Sequence, residues 1–167
     1  VDAHGGPAGG LLHTGVSAAR RLNLTRPPPS RSPLDSPARV LPRGRPSGPV
    51  RVLHRPADGP ERTLATDVEV ADSFLGKARG LMFRRSIPGG YAMAFPFDGA
   101  RTRGLHMVCV PFDIDAVWLV DGRVERATRL RAWRGYGRAR ADTVLELPAG
   151  AAEGVDPGDP VALVEEG

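Results

Sequence analysis

The chain has a single cysteine, Cys109, so no disulfide closes within it and no thiol-rich metal cage is available. No apolar run approaches the ~18–20 residues needed to span a bilayer. The opening stretch also lacks the apolar core of a secretory signal, and a cytoplasmic protein is the expectation. Aromatic residues make up only 5%. Lysine is nearly missing: Lys77 stands alone among 23 basic residues, which reads as genomic base composition rather than function. What abounds is punctuation. Seventeen prolines and 21 glycines are too many for an all-helical protein, because both residues interrupt helices. Turn-rich β structure is the better expectation.

Charge and proline are unevenly placed. Residues 1–62 hold ten arginines and four acids, a net of +6, whereas residues 63–167 hold 13 basic and 15 acidic residues, a net of −2. The high isoelectric point therefore describes the front of the chain, and "basic, hence DNA-binding" does not follow. Eleven of the prolines also lie before residue 62. Residues 1–49 show no period of 2 or 3.6 and too few apolar residues to offset ordering entropy, so a disordered Pro/Gly/Arg-rich tail is expected. Because Val1 replaces the usual Met, a start at an alternative codon or nearer Val50 is expected.

Residues 50–167 read as one domain. "VRVLH" and "TLATDVEVA" alternate as strands, and later "YAMAF", "GLHMVCV", "IDAVWLV", "RVERATRLRAW", "DTVLEL" and "PVALVEE" follow in succession. Asp121–Gly122 is a two-residue hairpin signal, since a type I′ turn needs positive φ at both central positions. Asp72 or Ser73 caps a predicted short helix at about 72–82, with Phe74, Leu75, Ala78, Leu81 and Met82 on one face. The expected fold is α+β and mostly β: a compact, antiparallel, barrel-like domain of seven or eight strands with that one helix.

Three segments together, "ARGLMFR" (78–84), "LHMVCVPFDIDAVWLVDG" (105–122) and "VLELPAG" (144–150), resemble domain-of-unknown-function family 192, an uncharacterised family. The resemblance covers about residues 50–166 and implies a single small β-rich domain without implying an activity. Met107 and Asp115 match the family's pattern. The Trp, Asn and Thr that the family carries in the middle segment are absent, and His106, Cys109, Val110 and Asp113 stand in that region instead.

Standard catalytic and cofactor signatures are missing: no nucleophile elbow, zincin helix, phosphate loop or Cys-x-x-Cys occurs. "GYGRAR" only begins like a dinucleotide fingerprint. Strand alternation separates His106 from Met107 and Cys109, so neither a metal site nor a cofactor is expected, and both sulfurs read as core filling. Asp115, at the entry to an apolar strand, reads as a turn-fixing acceptor, with general acid–base chemistry as the alternative. Arg84 and Arg85, with Arg101 and Arg103, are candidates for gripping an anion beside Asp115. Glu146 reads as solvated, and His54 as a surface or satisfied histidine.

The strip "RLRAWRGYGRAR" (129–140) holds five arginines, a Trp and a Tyr in twelve residues without an acid. Arg129, Arg131 and Trp133 are expected on one strand face. The preferred reading is a solvated edge that blunts strand pairing. The alternative is nucleic-acid binding through Arg129, Arg131, Trp133, Arg134, Tyr136 and Arg138. The sequence thus favours a small, non-catalytic binding or accessory module that recognises an anionic group, with an enzyme using Asp115 as a further alternative.

Overall fold

The computed structural model of the chain describes residues 48–71 and 80–166. The expected tail and most of the expected helix at 72–82 lie outside these; the helix's last positions, 80–82, form a turn. Eight strands occur among the described residues: β1 (Val50–His54), β2 (Arg62–Ala65), β3 (Asp67–Val70), β4 (Tyr91–His106), β5 (Ile114–Val120), β6 (Arg123–Leu130), β7 (Tyr136–Pro148) and β8 (Val161–Glu165). No helix occurs among the described residues, so none there is long and apolar enough to cross a membrane.

The strands form two sheets rather than a closed barrel: β2-β1-β8 and β3-β4-β7-β5-β6. Pairing is antiparallel except between β3 and β4. That parallel pair requires a long crossover, here residues 71–90. The Asp121–Gly122 turn is as expected, with φ of 49° and 72°, and closes the β5–β6 hairpin.

Strand period builds two apolar layers. On one face of the five-stranded sheet, Ala92, Ala94, Val117, Leu119, Leu145 and Leu147 meet Val50, Val52, Leu64, Val161 and Leu163 of the small sheet. The opposite face carries Tyr91, Met93, Phe95, Ile114, Ala116, Trp118 and Val144, against Leu81, Met107, Val110 and Leu130. Strand β5 is covered on both faces, which explains the apolar run of residues 116–120 that follows Asp115. Trp118 is fully buried and still satisfied, its Nε1 donating to the Arg103 carbonyl at 2.9 Å.

Three sequence expectations change. The alternating run "TLATDVEVA" divides at Thr66 into β2 and β3, which belong to different sheets. "YAMAF" and the start of "GLHMVCV" are one long strand, β4, and the chain leaves the sheet at His106. Strand β6 ends at Leu130, so Trp133 does not share a strand face with Arg129 and Arg131. The cause is remote in sequence: the Asp113 carboxylate takes the Ala132 N–H (2.8 Å) and the Arg131 guanidinium (3.0 Å), removing a ladder donor and starting a turn.

Candidate functional site

Where β4 stops and β7 starts, three turns meet, around residues 80–85, 107–113 and 131–135. Backbone bonds join them: Phe83 N–H donates to the Cys109 carbonyl, Trp133 N–H to Val110, and Met107 N–H to Gly135, each at 2.9 Å. Packing at this junction is tight enough to require glycine at 135. A Cβ there would lie 2.6–2.8 Å from the Arg131 backbone and the Met107 side chain. Met107 is buried as core filling, whereas Cys109 is half-buried in the turn and Val108 faces outward.

The joined turns display what a folded surface ordinarily hides. Phe83 (67% exposed), Val108 (51%), Trp133 (62%) and Tyr136 (62%) are the exposed large hydrophobic residues of the described structure, and all lie at this end. Three of them or their neighbours are also strained. Phe83, Cys109 and Trp133 have φ of 66°, 60° and 66°, a left-handed conformation costing a non-glycine residue about 1–2 kcal/mol. Tyr136 lies across Gly104, whose missing side chain makes room for the ring: a Cβ would sit 3.3 Å from the phenol oxygen.

Arginine surrounds these rings, but the strip read in the sequence divides in two. Arg129 is committed to Asp115 and Arg131 to Asp113. Arg126 donates to the Arg138 carbonyl and lies 5.9 Å from the centre of the buried Trp118 ring. Arg134, Arg138 and Arg140 are exposed, without an ion-pair partner among the described residues. So is Arg85. Alternation along β7 puts Tyr136, Arg138 and Arg140 on one face, with His106 opposite Tyr136 on β4.

The other predicted residues do not form one pocket. Asp115 alternates with Val117 and Leu119 toward the layer between the sheets. There it accepts from Arg129 Nε (2.8 Å), Gly150 N–H (2.7 Å) and Ala152 N–H (3.0 Å). Arg84 and Arg103 belong to the opposite face of the sheet. Arg84 binds Glu69 at 2.6 Å and lies over Tyr91, while Arg103 stacks on Phe97 at 3.9 Å. Arg101 is exposed. Burial raises the Glu69 pKa, but hydrogen bonds from Arg84 and Tyr91 outweigh it and hold the carboxyl below its ordinary value.

His54 is fully buried and satisfied. Its Nδ1 accepts from Arg62 Nε at 3.0 Å, so its Nε2 carries the proton donated to Asp159 at 2.7 Å. This clip ties β1 and β2 to the turn before β8. Among the described residues no three His, Cys, Asp or Glu side chains gather as metal ligands.

Glu146 is the correction of largest consequence. It is not solvated but 4% exposed, set between Met93 and Ala116 on the central strand β7. Both carboxyl oxygens face the backbone of Gly80, 3.5 Å from where a Cβ would stand, and Oε2 has no hydrogen-bond partner among the described residues. Burial pushes its pKa up to about 8, with the positive charge of Arg84 opposing. The acid is therefore protonated at neutral pH.

Architecturally, then, this is a two-sheet β domain that presents an aromatic and arginine-bearing loop end. Two solved structures share the fold. A protein of Sinorhizobium meliloti 1021, provisionally described as a transcription regulator, superposes with a TM-score of 0.60 at 27% identity, covering 72% of this chain and 98% of its own. A protein of unknown function from Novosphingobium aromaticivorans gives 0.58 at 21% identity, covering 79% and 97%. The chain belongs to domain-of-unknown-function family 192, described as "Uncharacterized ACR", whose model matches residues 57–163. Among curated relatives, the UPF0127 protein of Pyrococcus horikoshii is 35% identical over 95 residues, 54% of this chain and 80% of its own. The UPF0127 protein of Thermococcus gammatolerans is 32% identical over 102 residues, 60% of this chain and 62% of its own.

Proposed function

We propose that this domain is a non-catalytic binding module that holds an anionic partner against the loop end formed by residues 80–85, 107–113 and 131–140. The observation that carries the reading is the pairing of exposed rings with arginines that no acid among the described residues neutralises. Single exposed apolar residues need no explanation, but a gathered set on a strained backbone does. Arg134, Arg138, Arg140 and Arg85 keep their charge available because Asp113, Asp115 and Glu69 are occupied by other arginines. Asp115 fits the role of a strut better than that of an acid–base group, since a side-chain cation and two backbone donors hold it. The provisional description of the Sinorhizobium protein is in keeping with an anionic partner.

Tryptophan provides a local reporter. Of the two tryptophans, Trp118 is buried and Trp133 is on the face, while the arginine-rich front of the chain contains none. Adding inorganic polyphosphate to the full chain at low salt is expected to change Trp133 emission. The apparent affinity should fall steeply with salt as phosphates and guanidiniums exchange counterions. The charge-reversed variant R134E/R138E is expected to bind at least about tenfold more weakly, from two lost charge-assisted contacts. An unchanged emission, or equal affinity in that variant, rejects the reading.

A further inference from the structure

Resting on that reading, we infer that the anion is single-stranded nucleic acid, with bases stacked on Trp133 and Tyr136 and phosphates at Arg134, Arg138 and Arg140. A simple anion needs cations and hydrogen-bond donors, not rings. This face offers both, interleaved. Trp133 stands at the tip of its turn, between Arg131 and Arg134. Tyr136 lies against the strand with Gly104 beneath it, leaving the ring's other side open as a platform. His106, exposed opposite Tyr136, adds a third flat group. Sequence-tolerant stacking on aromatic residues beside a basic track is how single strands are held, because every base has a π-face.

Exposed rings favour a single strand over a duplex. Alternate residues of a strand lie roughly 6.4–6.8 Å apart, so Tyr136, Arg138 and Arg140 form a track with about that repeat, a ring followed by two guanidiniums on one face of β7. A duplex keeps its base faces inside. An acidic peptide would satisfy the arginines and leave the rings without a matched group.

The test compares four probes on the full chain: a 12-nucleotide oligothymidine, its abasic counterpart, polyglutamate and inorganic polyphosphate. Binding is read by Trp133 emission in the parent protein, and by anisotropy of labelled probes in the variants. The basic front segment is common to all variants and meets oligothymidine and its abasic form with equal charge, so the ratio of their affinities reads the rings. Oligothymidine is expected to bind about tenfold or more tighter than the abasic strand. Trp133→Ala and Tyr136→Ala should each remove most of that ratio, and Trp133→Phe should restore it. Abasic strand, polyglutamate or polyphosphate binding as well as oligothymidine overturns the nucleic-acid inference and leaves the anion reading standing. If no polyanion changes Trp133 emission, both fall.

Discussion

At pH 9, Glu146→Gln unfolds at a markedly higher temperature than the parent protein, and at pH 4 the two differ little. The unfolded chain releases this proton near its ordinary value of 4.5, whereas the folded chain keeps it until about pH 8. Stability from this group is therefore full below pH 4.5, falls as the pH rises, and levels off above 8. At about 1.4 kcal/mol for each pH unit of that window, the loss reaches at most about 5 kcal/mol. Relaxation of the Gly80 turn or entry of water reduces it. The neutral amide has no ionisation to resist, so the variant escapes the loss, and a difference on the order of 10 °C is expected at pH 9. Thermal unfolding followed across pH 4–9 measures it. Parallel profiles for the two proteins would mean that Glu146 is solvated or paired in the fold.

The second large effect is Asp115→Ala, which removes the acceptor shared by Gly150, Ala152 and Arg129. Strand β5 then loses its tie to the turn after β7, and two backbone N–H groups need new partners. Each lost partner costs about 1–3 kcal/mol when buried. These two are only partly buried, and a total of about 2–4 kcal/mol is expected, visible as a lower denaturant midpoint. Asp115→Asn keeps one acceptor oxygen and should retain about half of the difference. An Asp115→Ala protein as stable as the parent would refute the strut and return Asp115 to the list of candidate functional acids.

What the sequence made legible was local. Positive φ at both residues of Asp121–Gly122 is written into their identity, and the apolar run of β5 announces a strand covered on both sides. The family resemblance, drawn from three separated segments, agrees with the family match over residues 57–163. What escaped depended on distant partners. Glu146 alternates with Val144, and an acid on that face reads as solvated until the distant layer that covers it is known. The available signal was its flanks: in "VLEL" both strand parities are apolar, which leaves a lone acid no solvated side. The end of β6 escaped for a similar reason, since the residue that stops it, Asp113, lies 19 positions away from Ala132. That same contact turns a continuous arginine strip into one neutralised half and one free half.

On the proposed reading, the strained, exposed rings of the loop end serve a partner rather than the fold. Trp133→Gly separates these two roles, with thermal unfolding and oligothymidine affinity measured on the same preparation. Glycine adopts φ near 66° freely, and the 62% exposed indole contributes little burial. The midpoint is expected to rise by a few °C, from about 1 kcal/mol of relieved strain, together with an affinity at least about tenfold weaker. A lower midpoint with unchanged affinity would contradict that reading, showing that the indole holds the turns together and touches no partner.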